Sequence, residues 1–209
     1  MRCLENEMTL RKIRVLFLRL GSLPVILMAI FVRPEWEHEE TTSFIIEMVG
    51  YLFLIFGLCI RVWAILYIGG KKSKELTTTG PYSLCRHPLY LGTFSIVVGA
   101  GLCFENIPML LATILIMVPI HLVVARMEDE HMAELFPQTY PEYKKLVRGY
   151  WPNFKNYRSS ETIEIPIRSI RRVLVDTIAV LMIPQIEDLL ELLQENCHMP
   201  ILWTYHMPF

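Results

Sequence analysis

No excess of either charge sign marks this chain. Its 20 Lys and Arg stand against 21 Asp and Glu, and the formal net charge of −1 excludes a global pull toward nucleic acid. Paired cysteine spacing is missing as well. Cys3, Cys59, Cys85, Cys103 and Cys197 lie far apart, so neither a disulfide framework nor a metal site is expected from them. Two of the five fall inside apolar blocks and read as small buried hydrophobes. There is no Gly-x-Gly-x-x-Gly run, which weighs against a nicotinamide-binding loop of that type. Nor does a small-residue cleavage pattern close the first apolar run, which ends Ala29-Ile30-Phe31-Val32-Arg33. That run therefore reads as a retained span rather than a cleaved signal.

What the chain has in quantity is apolar sequence. Hydrophobic residues make up 53% and charged residues 20% of the 209 positions, and the mean hydropathy is +0.39. The apolar residues gather in four blocks: Val15 to Val32, Phe44 to Ile68, Leu89 to Phe104 and Ile107 to Ala125. A helix needs about 20 residues to cross a hydrocarbon core of roughly 30 Å. The second and fourth blocks meet that length. The first carries Arg19 and Pro24, and the third is short. Glu105-Asn106 before Pro108 suits a tight hairpin between the last two. Basic residues collect before the first block, between the second and third (Lys71, Lys72, Lys74, Arg86), and after the fourth (Arg126, Lys144, Lys145, Arg148, Lys155). The opposite loops hold Arg33, Glu35, Glu37, Glu39, Glu40 and Glu105. That alternation places both termini in the cytosol, in a bacterial inner membrane or the endoplasmic reticulum.

The expected fold is all-α: a polytopic membrane bundle of about four transmembrane helices with cytosolic C-terminal helices. Residues 1–155 form the membrane domain, with a motif core at 60–154, and residues 156–209 an amphipathic helix and tail. Gly92, Ser95 and Gly99 recur at helical spacing, as close helix packing requires. Ile163, Ile167, Ile170, Leu174, Ile178 and Leu181 form a stripe ended by Pro184, which reads as an interfacial helix. The pairs Met199-Pro200 and Met207-Pro208, each preceded by a histidine, read as tail rather than as a soft-metal site. Of the ionisable residues inside the blocks, Glu47 and Arg61 sit near span ends and snorkel. His121 divides evenly between structure and function.

The chemistry gathers on the basic side. Thr77, Thr78, Thr79 and the turn Gly80-Pro81-Tyr82 lead to Arg86-His87-Pro88, where Pro88 suits a helix start. Such a terminus beside Arg86 and His87 can hold an anionic ligand group or touch lipid phosphates. After the fourth block come Glu128, Asp129 and Glu130, then Tyr140, Tyr143 and Val147 on one helical face. A cationic helix start, a carboxylate pair and several aromatics suit a zwitterionic ligand with a flat base.

Thr79-Gly80-Pro81-Tyr82, the run Arg86-His87-Pro88-Leu89-Tyr90-Leu91-Gly92, Glu128-Asp129, and Phe136, Tyr140, Tyr143 and Val147 together resemble the isoprenylcysteine carboxyl methyltransferase family. The phospholipid N-methyltransferases share a related pattern. The resemblance extends from Ile60 to Phe154, and the chain departs from it at three places. Lys74-Glu75 stands where a His-Thr pair is common, the acidic pair is Glu-Asp, and Pro137 replaces a common glycine. The resemblance implies an integral membrane methyltransferase using S-adenosylmethionine. It implies that Leu76, Thr77, Thr78, Thr79, Gly80, Pro81, Tyr82, His87, Pro88, Leu89 and Tyr90 line the cofactor. Glu128, with Asp129 beside it, would hold the cofactor's ammonium, and Arg86 or backbone N–H groups its carboxylate. A tyrosine face would meet its sulfonium, and Arg126 would aim the acceptor.

A carboxylate acceptor is ionised near pH 7 and needs only a cation to place it. A phospholipid amine would need a base such as His87 or His131. The expected acceptor is thus lipid-like or prenylated, met among membrane lipids. The alternatives are a phospholipid or small-thiol methyltransferase, a membrane reductase, and a non-catalytic binding protein.

Overall fold

Backbone groups in hydrocarbon have no water to bond, so apolar runs of this length close their hydrogen bonds within helices. A computed structural model describes residues 26–28, 32–35, 40–70, 74–196 and 203–206. Most of the first apolar block, the basic N-terminal flank, Lys71, Lys72, Cys3, Cys197 and both Met-Pro pairs lie outside the described residues.

Helix α1 runs Glu40–Ile68, and the short helix α2 covers Pro81–Leu84. Helix α3 is Pro88–Cys103, and α4 is Ile107–Leu135. Three further helices follow: α5 at Tyr140–Leu146, α6 at Ile167–Leu181 and α7 at Ile183–Asn196. A 3-10 turn at Phe154–Asn156 precedes α6. Among the described residues a short parallel pairing departs from the expected all-helical class. Strand β1, Val32–Glu35, lies beside β2, Trp203–His206, with Val32 opposite Trp203 and Glu35 opposite His206.

Among the described residues two helices, α1 and α4, are long and apolar enough to cross a membrane, while α3 is shorter. In their most apolar stretches only 22% and 17% of residues are buried within the protein. A soluble core helix would be largely covered, so these faces fit a hydrocarbon surround. Helix α4 keeps going past the expected end at Ala125. Nothing from Arg126 to Leu135 breaks a helix, so its polar last turns remain helical although their composition changes.

The chain divides into two compact units that alternate along the sequence. One comprises Leu54–Ile96 and Ala125–Leu181. Within it α1 and α3 meet at glycines: a Cβ on Gly57 would sit 2.6 Å from the Gly92 carbonyl oxygen, and one on Gly92 would sit 2.7 Å from that of Gly57. The other unit comprises Met1–Phe53, Val97–Val124 and Met182–Phe209. There a Cβ on Gly50 would lie 3.0 Å from the Gly99 oxygen. The small-residue stripe on α3 is therefore a packing surface, as its spacing suggests. The α3–α4 hairpin turns at Glu105, which takes a φ of 44°, and buried Asn106 caps α4 by accepting a bond from the Met109 N–H at 2.9 Å. His121 bonds the Met117 carbonyl of its own helix at 2.8 Å.

Candidate functional site

The site forms in the first of these units, where the Thr-rich loop, the start of α3, the polar end of α4 and α5 converge. Gly80 takes a φ of 61°, and a Cβ there would run into the Tyr67 ring, so only glycine makes this turn. Pro81 and Pro88 open α2 and α3, where a missing N–H costs nothing.

Arg86 and His87 meet Asp129 as the spacing of the two motifs implies. Arg86 Nη2 lies 3.0 Å from Asp129 Oδ2, and His87 Nε2 lies 3.1 Å from Oδ1. Tyr140 donates its hydroxyl to Oδ1, and Lys144 Nζ stands 3.4 Å from Oδ2. Arg86 Nη1 also donates to the Lys144 and Val147 carbonyls at 3.1 and 3.2 Å. The backbone N–H groups of Arg86 and His87 donate to the carbonyls of Arg148 and Gly149. These backbone donors, expected to serve a ligand carboxylate, are committed to the protein itself.

Asp129 lies past the apolar run of α4. Burial alone would raise its pKa, but hydrogen bonds from His87 and Tyr140 and the charges of His87 and Arg86 outweigh burial and hold it far below the usual range. Burial, then the bond to Asp129, pushes the Tyr140 hydroxyl upward. The His87 ring sits 5.6 Å from Tyr90 and 5.4 Å from Tyr150 between ring centroids.

The remaining expected residues surround this hub. Leu76 packs against Tyr140, Tyr143 and Val147. Leu89 packs against the Ala64, Tyr67 and Tyr82 cluster. Tyr82 accepts a 2.7 Å bond from Tyr143 at its carbonyl. Its hydroxyl, Thr77 Oγ1 and Arg86 Nε are buried with no hydrogen-bond partner among the described residues. Glu128 is half-buried, and its charge reaches Tyr82 and Tyr150. Arg126 is exposed, outside the Asp129 cluster, and its charge also reaches Tyr150. Burial pushes the Cys85 thiol up to about 11.

Sequence reasoning missed the segment after Trp151, which stitches onto the Thr-rich loop. Gly80 N–H donates to the Arg158 carbonyl, Arg158 N–H to Ser83 Oγ, and Ser160 Oγ to Thr79 Oγ1. Only chain-distant contacts reveal that role. A cavity of about 560 Å³ opens beside these stitches, lined by Leu76, Thr78, Phe136, Tyr143 and Arg158 with Glu75 and Glu142. Its volume suits a small-molecule ligand, since such sites typically run roughly 300 to 1,000 Å³. Of the residues expected to line a cofactor, Leu76 and Thr78 line this cavity, whereas Arg86, His87, Glu128 and Asp129 do not.

Fold and site thus define a helical membrane protein with a polar pocket at one end of its spans. The family model described as phospholipid methyltransferase matches residues 45–139. The nickel-cobalt-cadmium resistance protein NccN of Alcaligenes xylosoxydans xylosoxydans is 33% identical over 144 residues, covering 69% of this chain and 67% of that one. The cobalt-zinc-cadmium resistance protein CzcN of Cupriavidus metallidurans is 29% identical over 177 residues, covering 85% and 80%. Protein-S-isoprenylcysteine O-methyltransferase of Saccharomyces cerevisiae is 33% identical over 110 residues, covering 48% and 46%. No solved structure matches the chain. The chain belongs to the phospholipid methyltransferase family, and its relatives include the isoprenylcysteine enzymes that its motifs resemble.

Proposed function

We propose that the chain is an integral membrane S-adenosylmethionine-dependent methyltransferase, most like the isoprenylcysteine carboxyl O-methyltransferases, that methylates a lipid-like acceptor at the cytosolic face. One observation carries this reading: Arg86 and His87 grip Asp129 beside a cavity walled by the Thr-rich loop. S-adenosylmethionine, when bound, supplies a methyl group on a sulfonium for in-line displacement. The protein's part is placement, which is worth several kcal/mol when reacting atoms are held in line. Glu128, which lies outside the cavity lining, takes the ammonium as the family resemblance implies, and Leu76, Thr78 and Tyr143 line the ligand's path. The Asp129 hub holds the start of α3 against α5 so that this wall keeps its shape. Arg126, exposed beside the site, aims an acceptor carboxylate that needs no base.

A second reading, methylation of a phospholipid amine, is favoured by the His87–Asp129 pair. With Nε2 held by Asp129, Nδ1 is the nitrogen left to accept a proton. The names of NccN and CzcN speak of metal resistance for those proteins, and a methylated membrane component serving metal tolerance fits either acceptor.

Two measurements test the reading. Labelled methyl donor incubated with purified protein and a lipid extract should yield a labelled lipid-soluble product. Glu128→Ala should abolish methyl-donor binding by calorimetry while the unfolding temperature stays near that of wild type. Undiminished binding in that variant would overturn the pocket assignment.

A further inference from the structure

From Tyr143 to Ser160 the chain carries Lys144, Lys145, Arg148, Lys155 and Arg158 and no aspartate or glutamate, although its charges nearly cancel overall. All five cations are on exposed residues. Large apolar side chains stand open among them: Leu146 is 63% exposed, Trp151 77%, Phe154 76% and Tyr157 49%. Apolar groups gathered on one surface mark a contact with something that is itself partly apolar.

The backbone of this surface is fixed by bonds within the unit that holds the site. Arg86 N–H donates to the Arg148 carbonyl at 2.8 Å, and His87 N–H to that of Gly149 at 3.0 Å. Asn153 N–H donates to the Leu84 carbonyl at 3.0 Å, and Asn156 Nδ2 to the Leu146 carbonyl at 2.9 Å. The last bond sets Leu146, at the end of α5, beside the 3-10 turn that carries Phe154 and Lys155.

Two apolar helices mark the level at which the surface stands. His87, bonded to Gly149, immediately precedes the first residue of α3. The Tyr157 ring lies 6.1 Å from that of Trp63 on α1, five residues and about 7.5 Å before the helix ends at Ile68. The stretch from Gly149 to Tyr157 thus runs beside the start of one apolar helix and the last turns of another. In a bilayer that is the boundary between hydrocarbon and headgroups. Tryptophan and tyrosine collect there because their rings are apolar with a polar edge, and lysine and arginine there meet lipid phosphates. A soluble partner would have to displace those headgroups to reach this surface, whereas an anionic leaflet already stands at its level and carries the opposite charge.

We propose that Leu146, Trp151 and Phe154 insert into the headgroup layer of the surrounding leaflet and that Lys145, Arg148 and Lys155 bind its anionic phospholipids. Leu146, Asn156 and Arg158 also line the cavity, so the anionic lipids gather at its rim. This lipid selectivity does not depend on methyl transfer.

The full-length protein is placed in phosphatidylcholine nanodiscs with a trace of spin-labelled phosphatidylglycerol or of spin-labelled phosphatidylcholine. The immobilised share of the spectrum should be larger for phosphatidylglycerol. Replacing Lys145, Arg148 and Lys155 together by glutamine should remove most of that preference, each cation contributing up to about five-fold. Equal immobilisation of both lipids by the wild type, or an undiminished preference in the triple variant, would overturn the proposal. In a second arm, the emission lost in Trp151→Phe is that of Trp151 itself. Its quenching should be strongest with lipids brominated at shallow acyl carbons. Strongest quenching by deep bromines would contradict the headgroup level. Absence of quenching at every depth would assign the surface to water or to a protein partner, such as a second copy, and would equally overturn it.

Discussion

Asp129 is the residue on which the site turns, because its carboxylate serves Arg86, His87, Tyr140 and Lys144 together. Lys144 is half-exposed and contributes little. The Arg86 and Asp129 side chains are 14% and 10% exposed, so removing one strands the other's charge away from water. Asp129→Ala should cost about 3–5 kcal/mol, read as a fall in unfolding temperature in detergent. Its carboxyl has a folded pKa below the ordinary value, so its stabilisation is present above that value and lost as pH falls through the folded one. The stability gap between wild type and Asp129→Asn should therefore hold from pH 8 to about pH 5 and shrink in stronger acid. Arg86, His87 and Asp129 were legible in the sequence through the Arg-His-Pro run and the acidic pair that carry the family resemblance. Tyr140 read only as a packing residue, since helical spacing gives the face a side chain shares and not the partner its hydroxyl finds.

Among elements, α1 and α3 depend on backbones meeting at glycine. A leucine at Gly57 would drive its side chain into the Gly92 carbonyl and Ile96. Gly57→Leu should separate the helices and leave the protein aggregated on size exclusion, whereas Leu52→Ala on an exposed face should elute as wild type. The stripe on α3 was readable because small residues at helical spacing have few other uses in a span. The length of α4 was not, because hydropathy ends at Ala125 while helical bonding continues to Leu135. The strand pairing was equally hidden. Val32–Glu35 and Trp203–His206 sit at opposite ends of the chain, and short runs show no pattern linking them.

For the whole molecule, the apolar faces left open on α1 and α4 fit a hydrocarbon surround. The protein should remain in the membrane pellet after alkaline carbonate and leave it only with detergent. The family resemblance stops at Phe154, and the attachment of the segment beyond Lys155 was hidden because it rests on bonds to residues some 75 to 81 positions earlier. Helix α4 continues from its apolar run into polar turns, with Glu128 three residues, about 4.5 Å, past that run. The level of the acidic pair is therefore set by where the bilayer holds the span. A thicker membrane would draw these carboxylates toward the hydrocarbon and a thinner one would lift them into water, so the lipid that surrounds this protein also sets the height at which its pocket works.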